Sequence, residues 1–289
     1  MLGHWDNVRP FDLSWQNLIY GPGPRVVAFV LNAQINSVKT PAMLKLWGYT
    51  PTSDCSLCSH KKCTLHHILV NCPFALGQGR YTWRHDSILA NIEPELQKLI
   101  AEMNKRKPVS ATEAVRKAFR HCFVREGDKR STGKQQPKLG LLSFANDWSL
   151  LIDYNHKQIT FPPNIYATNQ RPDGVLWSRS THRVVLLELT CCAEEGVAQL
   201  RKEVRYLELV ESINSRGWKA ELLTLEVGAR GLIANGTFRS FVKLGFPSRE
   251  ATTLCRLLST VVARCSYAIY LAHNSQLWSH NSDLVVGSL

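Results

Sequence analysis

The spacing of apolar and polar residues divides the second half of the chain into short apolar runs and longer helical patterns. Runs at 148–154, 174–178, 183–190 and 221–227 have strand length. A helical pattern fills roughly 194–216, where Val197, Leu200, Val204, Leu207 and Val210 make one apolar stripe. Helices are also expected at 231–244 and 248–272. In the first half, AMLKLWGY and its neighbours read as helices, as does ATEAVRKAFRHCFVREG. Between them NKRKPVS, at 104–110, reads as a linker, and DKRSTGKQQPKLG as an exposed loop. This predicts a helical region over 1–104 and a mixed α/β domain over 105–289, with no internal repeat.

Composition adds a partner class to this picture. The hydrophobic share of 44% in 289 residues is ordinary for a globular protein, but 35 Lys and Arg against 23 Asp and Glu give a net charge of +12. Such an excess favours a polyanionic partner. The N-terminus, MLGHWDNVRPFD, lacks the basic-then-apolar pattern of a secretory leader. The most apolar C-terminal run, VVARCSYAIYLA, is short for a bilayer span and contains Arg264, so no membrane association is expected. Nine cysteines without a secretion signal point to a reducing compartment, where metal or core roles are expected of them.

Four of those residues have metal-ligand spacing. In CSLCSHKKCTLHHILVNC, Cys55, Cys58, His67 and Cys72 are spaced C-x2-C-x8-H-x4-C. A two-residue gap lets two thiolates from one turn reach the same ion. Thr64 can start a short helix carrying His67, and Cys72 returns beyond its end. Three sulfurs and an imidazole complete a closed, tetrahedral structural Zn²⁺ site. His66 offers a competing x7/x5 spacing and Cys63 is a further candidate. His67 is preferred because His66 would be turned about 100° away on a helix.

The segment RPDGVLWSRSTHRVVLLELT places Asp173 and Glu188 on otherwise apolar strands, where an unpaired carboxylate is costly. If the chain reverses between Ser180 and Thr181, residues whose numbers sum to 361 face each other, and Asp173 and Glu188 meet that condition. Opposed residues have Cβ atoms about 5 Å apart on one face. Two carboxylates so close need a cation or a proton between them, and Mg²⁺ suits the arrangement. The helix that follows carries Lys202 on the flank of its stripe, with Tyr206 one turn on. Lys202 could stabilise charge developing on a phosphate.

Taken together, RPDG, LLELT and RKEVRY resemble the restriction-like endonuclease domain of early-branching, site-specific non-LTR retrotransposons, a member of the PD-(D/E)XK superfamily. In those elements a Cys-Cys-His-Cys knuckle precedes the nuclease, as it does here. The resemblance extends through FVREG (123–127), ANDWSLLIDY (145–154), RGWKAELLTLEVGARG (216–231) and VKLGFP (242–247), so it covers most of 55–247. It implies a restriction-endonuclease-like core, a mixed sheet flanked by helices. It makes Asp173 and Glu188 the catalytic Mg²⁺ ligands, with Lys202 standing in for the E-x-K lysine whose place Thr190 occupies. Arg205 and Tyr206 would support Lys202, Glu126 would be an auxiliary acid, and Arg171, Arg201 and Arg205 would contact nucleic acid. The implied activity is nicking of target DNA to prime reverse transcription, in the nucleus, with element RNA and a reverse transcriptase region absent from this chain as partners. A homodimer would allow both strands to be cut. The rival expectation is a nucleic-acid-binding zinc module on a decayed nuclease scaffold that no longer cuts.

Overall fold

A computed structural model describes residues 23–110, 112, 139–155, 160–193 and 198–278, with the backbone alone described for 198–203. Helices α1 (Pro24–Gln34) and α2 (Pro41–Leu46) lead into the cysteine-rich segment. The Thr40 hydroxyl accepts the Met43 N–H at 3.3 Å, and Pro41 fills the first helical position, where no N–H is needed. A π-helical turn (His67–Asn71) and α3 (Pro73–Gly77) follow. The chain continues through α4 (Arg80–Lys105), β1 (Trp148–Ile152), β2 (Gly174–Ser178) and β3 (Arg183–Cys192). It ends with α5 (Ala198–Ser215), β4 (Lys219–Gly228), α6 (Asn235–Leu244) and α7 (Ser248–Leu271).

The strands form one sheet in the order β1-β2-β3-β4. β1 pairs antiparallel with β2 and β2 antiparallel with β3, whereas β3 and β4 run parallel, the crossover between them being α5. Across β2 and β3, Gly174 faces Leu187 and Ser178 faces Arg183, the register expected for a reversal between Ser180 and Thr181. Asp147 fixes that turn. Its carboxylate accepts the Ser178 hydroxyl at 2.5 Å and the Ser180 N–H at 2.8 Å. Gly174 is closely packed: a Cβ there would lie 3.0 Å from Ile152 Cδ1 and 3.2 Å from Leu187 Cβ, so those side chains would have to shift.

Alternation of side chains sends Leu176, Val185, Leu187, Leu189, Leu223 and Leu225 to one face, where they meet α4 and α7. Val175, Val184 and Leu186 on the other face are covered by Tyr206, Leu209 and Ile213 of α5. The buried side of α5 therefore differs from the expected stripe: Val204 is 65% and Leu207 52% exposed. Burying the larger Tyr206, whose hydroxyl finds a partner, is favoured over burying a valine at the same level.

The 26-residue helix α4 falls within the helical region expected over 1–104, although the sequence reading gives it no bounds of its own. Its Ile88, Leu89, Ile92, Leu96, Leu99, Ile100 and Met103 are buried in the same core as the sheet. At about 1.5–3 kcal/mol for each fully buried apolar side chain, α4 is an integral part of that core. The core thus runs across residue 104, where the domain division was expected. Helix α7 is long and apolar enough to cross a membrane by length and composition, longer than the apolar run alone suggested. Its Leu254, Cys255, Leu258, Val262 and Cys265 are buried in the same core.

A second cluster joins the cysteine-rich segment to the chain's end. Phe29, Ala33, Leu65, Ile68 and Leu69 are buried with Ile269 of α7. The wholly buried Arg80 guanidinium donates to the carbonyls of Ala272 at 2.7 Å and Ser275 at 2.6 Å.

Candidate metal centres

The first centre lies in the π-helical turn and the loop before it. Thr64 starts the turn, its hydroxyl accepting the His67 N–H at 3.2 Å. The widened turn points His67 inward, leaves His66 exposed, and delivers Cys72 where α3 begins. The ligand atoms of Cys55, Cys58, His67 and Cys72 all lie within 4.8 Å of one another, with Cys58 Sγ 3.3 Å from His67 Nε2. Tetrahedral donors around zinc, with Zn–S about 2.3 Å, stand about 3.7 Å apart, so the residues fit the ion. Nε2 is the facing nitrogen.

The electrostatics agree with this ligand set. Burial, then the neighbouring His60 and His66, hold His67 below the ordinary imidazole range, which favours the neutral form that binds metal. Burial works against ionisation of Cys55, yet hydrogen bonds from the Leu57 and Cys58 backbone and the Cys58 and Cys72 thiols bring it below its ordinary value. Burial pushes the Cys58 thiol up to about 11 in the metal-free state. Cys63, 1% exposed and outside the four, is pushed far up by burial and then by Cys55, as befits a core thiol.

The second centre is the strand end after the β2–β3 ladder. Asp173 immediately precedes Gly174, where the β2–β3 pairing ends, and Glu188 immediately follows Gly174's partner Leu187. Each carboxylate reaches the other strand's backbone. Leu189 N–H donates to Asp173 Oδ2 at 2.6 Å, and Asp173 N–H points at Glu188 Oε2 at 3.4 Å. Glu188 is 3% exposed, and the Asp173 side chain 17%. These are the hard oxygen donors that Mg²⁺ takes. Among the described residues, no group of three or more His, Cys, Asp or Glu converges here as it does in the cysteine cluster.

Tyr206 closes this centre from below. Burial, then the negative charge of Glu188, push its phenol up, so it stays protonated and donates to the Arg171 carbonyl at 3.0 Å. Arg171 itself is held by Asp153, Nη2 to Oδ2 at 2.6 Å, with its side chain 47% exposed. Arg205 is exposed, its guanidinium 5.6 Å from the Tyr206 ring centroid. Lys202 and Arg201 lie in α5, among the residues of which only the backbone is described, and Glu126 lies outside the described residues.

One residue at this centre has no counterpart in the sequence reading. His85 of α4 brings Nε2 to 3.3 Å from Asp173 Oδ2 and Nδ1 to 3.4 Å from Asp86 Oδ1. No local pattern marks it, because its partner lies far away along the chain.

No curated protein matches the chain. The first 78 residues do find a family, and it agrees with the Cys3His geometry. Residues 2–78 match the family described as zinc-binding in reverse transcriptase, so the cysteine-rich region is a zinc-binding domain of the kind associated with reverse transcriptases, which points to a retroelement-derived protein.

Proposed function

We propose that the chain is a metal-dependent DNA endonuclease from a non-LTR retroelement, its zinc domain followed by a restriction-like nuclease that nicks target DNA. The observation that carries this reading is the Asp173–Glu188 pair at the end of the β2–β3 ladder, where Asp173 Oδ2 accepts the Leu189 N–H and the Asp173 N–H points at Glu188 Oε2. Bound there, Mg²⁺ would supply Lewis-acid polarisation of the scissile phosphate and an acidified water. Asp173 and Glu188 would hold the ion, and Glu188, being buried, would keep its oxygens in a fixed place. Lys202, with Arg205 beside it, would stabilise the charge that builds on the phosphate oxygens. Tyr206 would hold the Arg171–Asp173 segment through the Arg171 carbonyl. Cleavage by water on the phosphorus, with the 3′ oxygen leaving, gives a 3′-hydroxyl end fit to prime a polymerase. The net charge of +12 supports duplex DNA, and element RNA, as polyanionic partners. The proposed compartment is the nucleus.

A second reading, binding without cleavage, is favoured by Thr190 in the place of the E-x-K lysine. Incubation with supercoiled plasmid, with and without Mg²⁺, separates the two. Mg²⁺-dependent open circles support the endonuclease. Retarded but uncut plasmid supports the binding module.

A further inference from the structure

We infer that His85 is a positioning residue for Asp173, acting from α4 on the carboxylate that is to hold the divalent ion; this rests on the endonuclease reading above. Asp173 Oδ2 is approached from two sides, by the Leu189 N–H at 2.6 Å and by His85 Nε2 at 3.3 Å. Protonated on both ring nitrogens, the imidazole forms ion pairs with Asp173 through Nε2 and with Asp86 through Nδ1. The Leu189 and His85 contacts together fix the Asp173 carboxylate's rotation, which a single hydrogen bond leaves free to swing.

The imidazole is itself held in place. Its other nitrogen faces Asp86 Oδ1 at 3.4 Å, and Asp86 Oδ2 accepts the Asn155 N–H at 3.0 Å. About two turns further along α4, Glu93 Oε2 accepts the Tyr154 hydroxyl at 2.5 Å. The Asp153 N–H in turn donates to the Asp173 carbonyl at 2.9 Å. Helix α4 is thereby tied both to the chain leaving β1 and to the acid that β1's exit supports. One turn before His85, the Tyr81 hydroxyl donates to the Ile68 carbonyl at 2.9 Å and accepts the Cys72 N–H at 3.0 Å. Residues four apart share a helix face. A single rigid turn therefore spans from the zinc ligand loop to the catalytic carboxylate.

Partners that orient a metal-ligating group contribute about 10–100-fold to metal affinity or activity. The test uses the whole chain, with Mg²⁺ titrated against plasmid nicking and Mg²⁺ binding followed by calorimetry. His85→Ala should raise the Mg²⁺ midpoint about tenfold or more. Zinc content and duplex affinity should stay at the parent's values. His85→Gln, whose amide N–H can reach the same oxygen, should recover most of the loss. An unchanged midpoint in His85→Ala, or equal impairment of both variants, overturns the inference while leaving the nuclease intact. Should His85→Ala not fold, His85→Gln decides alone: a Mg²⁺ midpoint far from the parent's overturns the inference, and one near it supports it. A parent chain that neither nicks nor binds Mg²⁺, or an Asp173→Asn variant with parental Mg²⁺ affinity, rejects the endonuclease reading itself and this inference with it.

Discussion

Replacing Glu188 by glutamine should stabilise the metal-free protein and abolish its response to Mg²⁺. The substitution keeps the shape of a side chain that is 3% exposed and removes one of two facing negative charges. Opposed residues at this register have Cβ atoms about 5 Å apart. At an effective dielectric of about 20, two unit charges at that distance repel by about 3 kcal/mol. Asp173, 17% exposed at its side chain, is partly screened, and its bond from Leu189 N–H remains in the variant. A net gain of about 1–2 kcal/mol follows, which for a chain of this size raises Tm by roughly 2–3 °C. Adding Mg²⁺ reverses the order. At a hundred times its Kd, a ligand bound only by the folded state adds about 2.7 kcal/mol, and the parent gains this while Glu188→Gln does not. Scanning calorimetry in Mg²⁺-free, zinc-containing buffer, repeated with Mg²⁺, measures both halves; a chelator would strip the cysteine site and confuse them. The electrostatic account is wrong if Glu188→Gln melts below the parent without Mg²⁺, or if Mg²⁺ stabilises the two proteins equally.

Purified protein should carry about one zinc per chain. Cys55→Ser should lose it, while Cys63→Ser and His66→Ala keep it; retention by Cys55→Ser would reject the ligand set. Zinc should be released as pH falls, because bound thiols must be deprotonated and burial holds the metal-free Cys58 thiol up at about 11, so proton competition grows toward acid. A zinc-sensitive dye measures this release, and release that grows toward alkaline pH would contradict it. Duplex affinity should fall steeply between about 50 and 200 mM salt, as expected when several phosphates are neutralised, and a flat response in a filter-binding assay would sink the electrostatic footprint. Lys202→Ala should reduce nicking more than Arg205→Ala, with Mg²⁺ affinity unchanged in both; the reverse order would make Arg205 the principal cation.

The parts of the fold that repeat a local period were readable from the sequence. The β2 and β3 runs are strand-length and separated by a polar turn, so their register followed from the reversal point alone. The zinc ligands lie within 18 residues, where spacing limits geometry. Helix α4 lies in the expected helical region, but its bounds went unmarked although Ile88, Ile92, Leu96, Leu99 and Met103 recur at helical intervals. Pro94 interrupts that pattern, since it supplies no N–H to the helix. The face of α5 was misjudged because five valines and leucines outnumber one tyrosine in a count of apolar residues. What decides burial there is the partner available to the Tyr206 hydroxyl, the Arg171 carbonyl, which no helical period records. His85 illustrates the general difficulty: its meeting with Asp173 depends on how a helix lies across a sheet edge, and that is a property of the assembled core.

The hydrogen bond from the Arg80 guanidinium to the Ser275 carbonyl joins residues 195 apart in the chain. Synthesis proceeds at about 5–20 residues per second, so on the ribosome the later partner emerges roughly 10–40 s after the earlier one. The zinc ligands are all available early and can close around the ion at once. Their apolar bed cannot, because Ile269 arrives only with the last helix. For that interval the cluster around Ile68 and Leu69 lacks its last partner, and the nascent domain is held by its metal and by the early residues Phe29, Ala33 and Leu65. Zinc supply during translation is then a determinant of yield, independent of any part the ion plays in the finished protein.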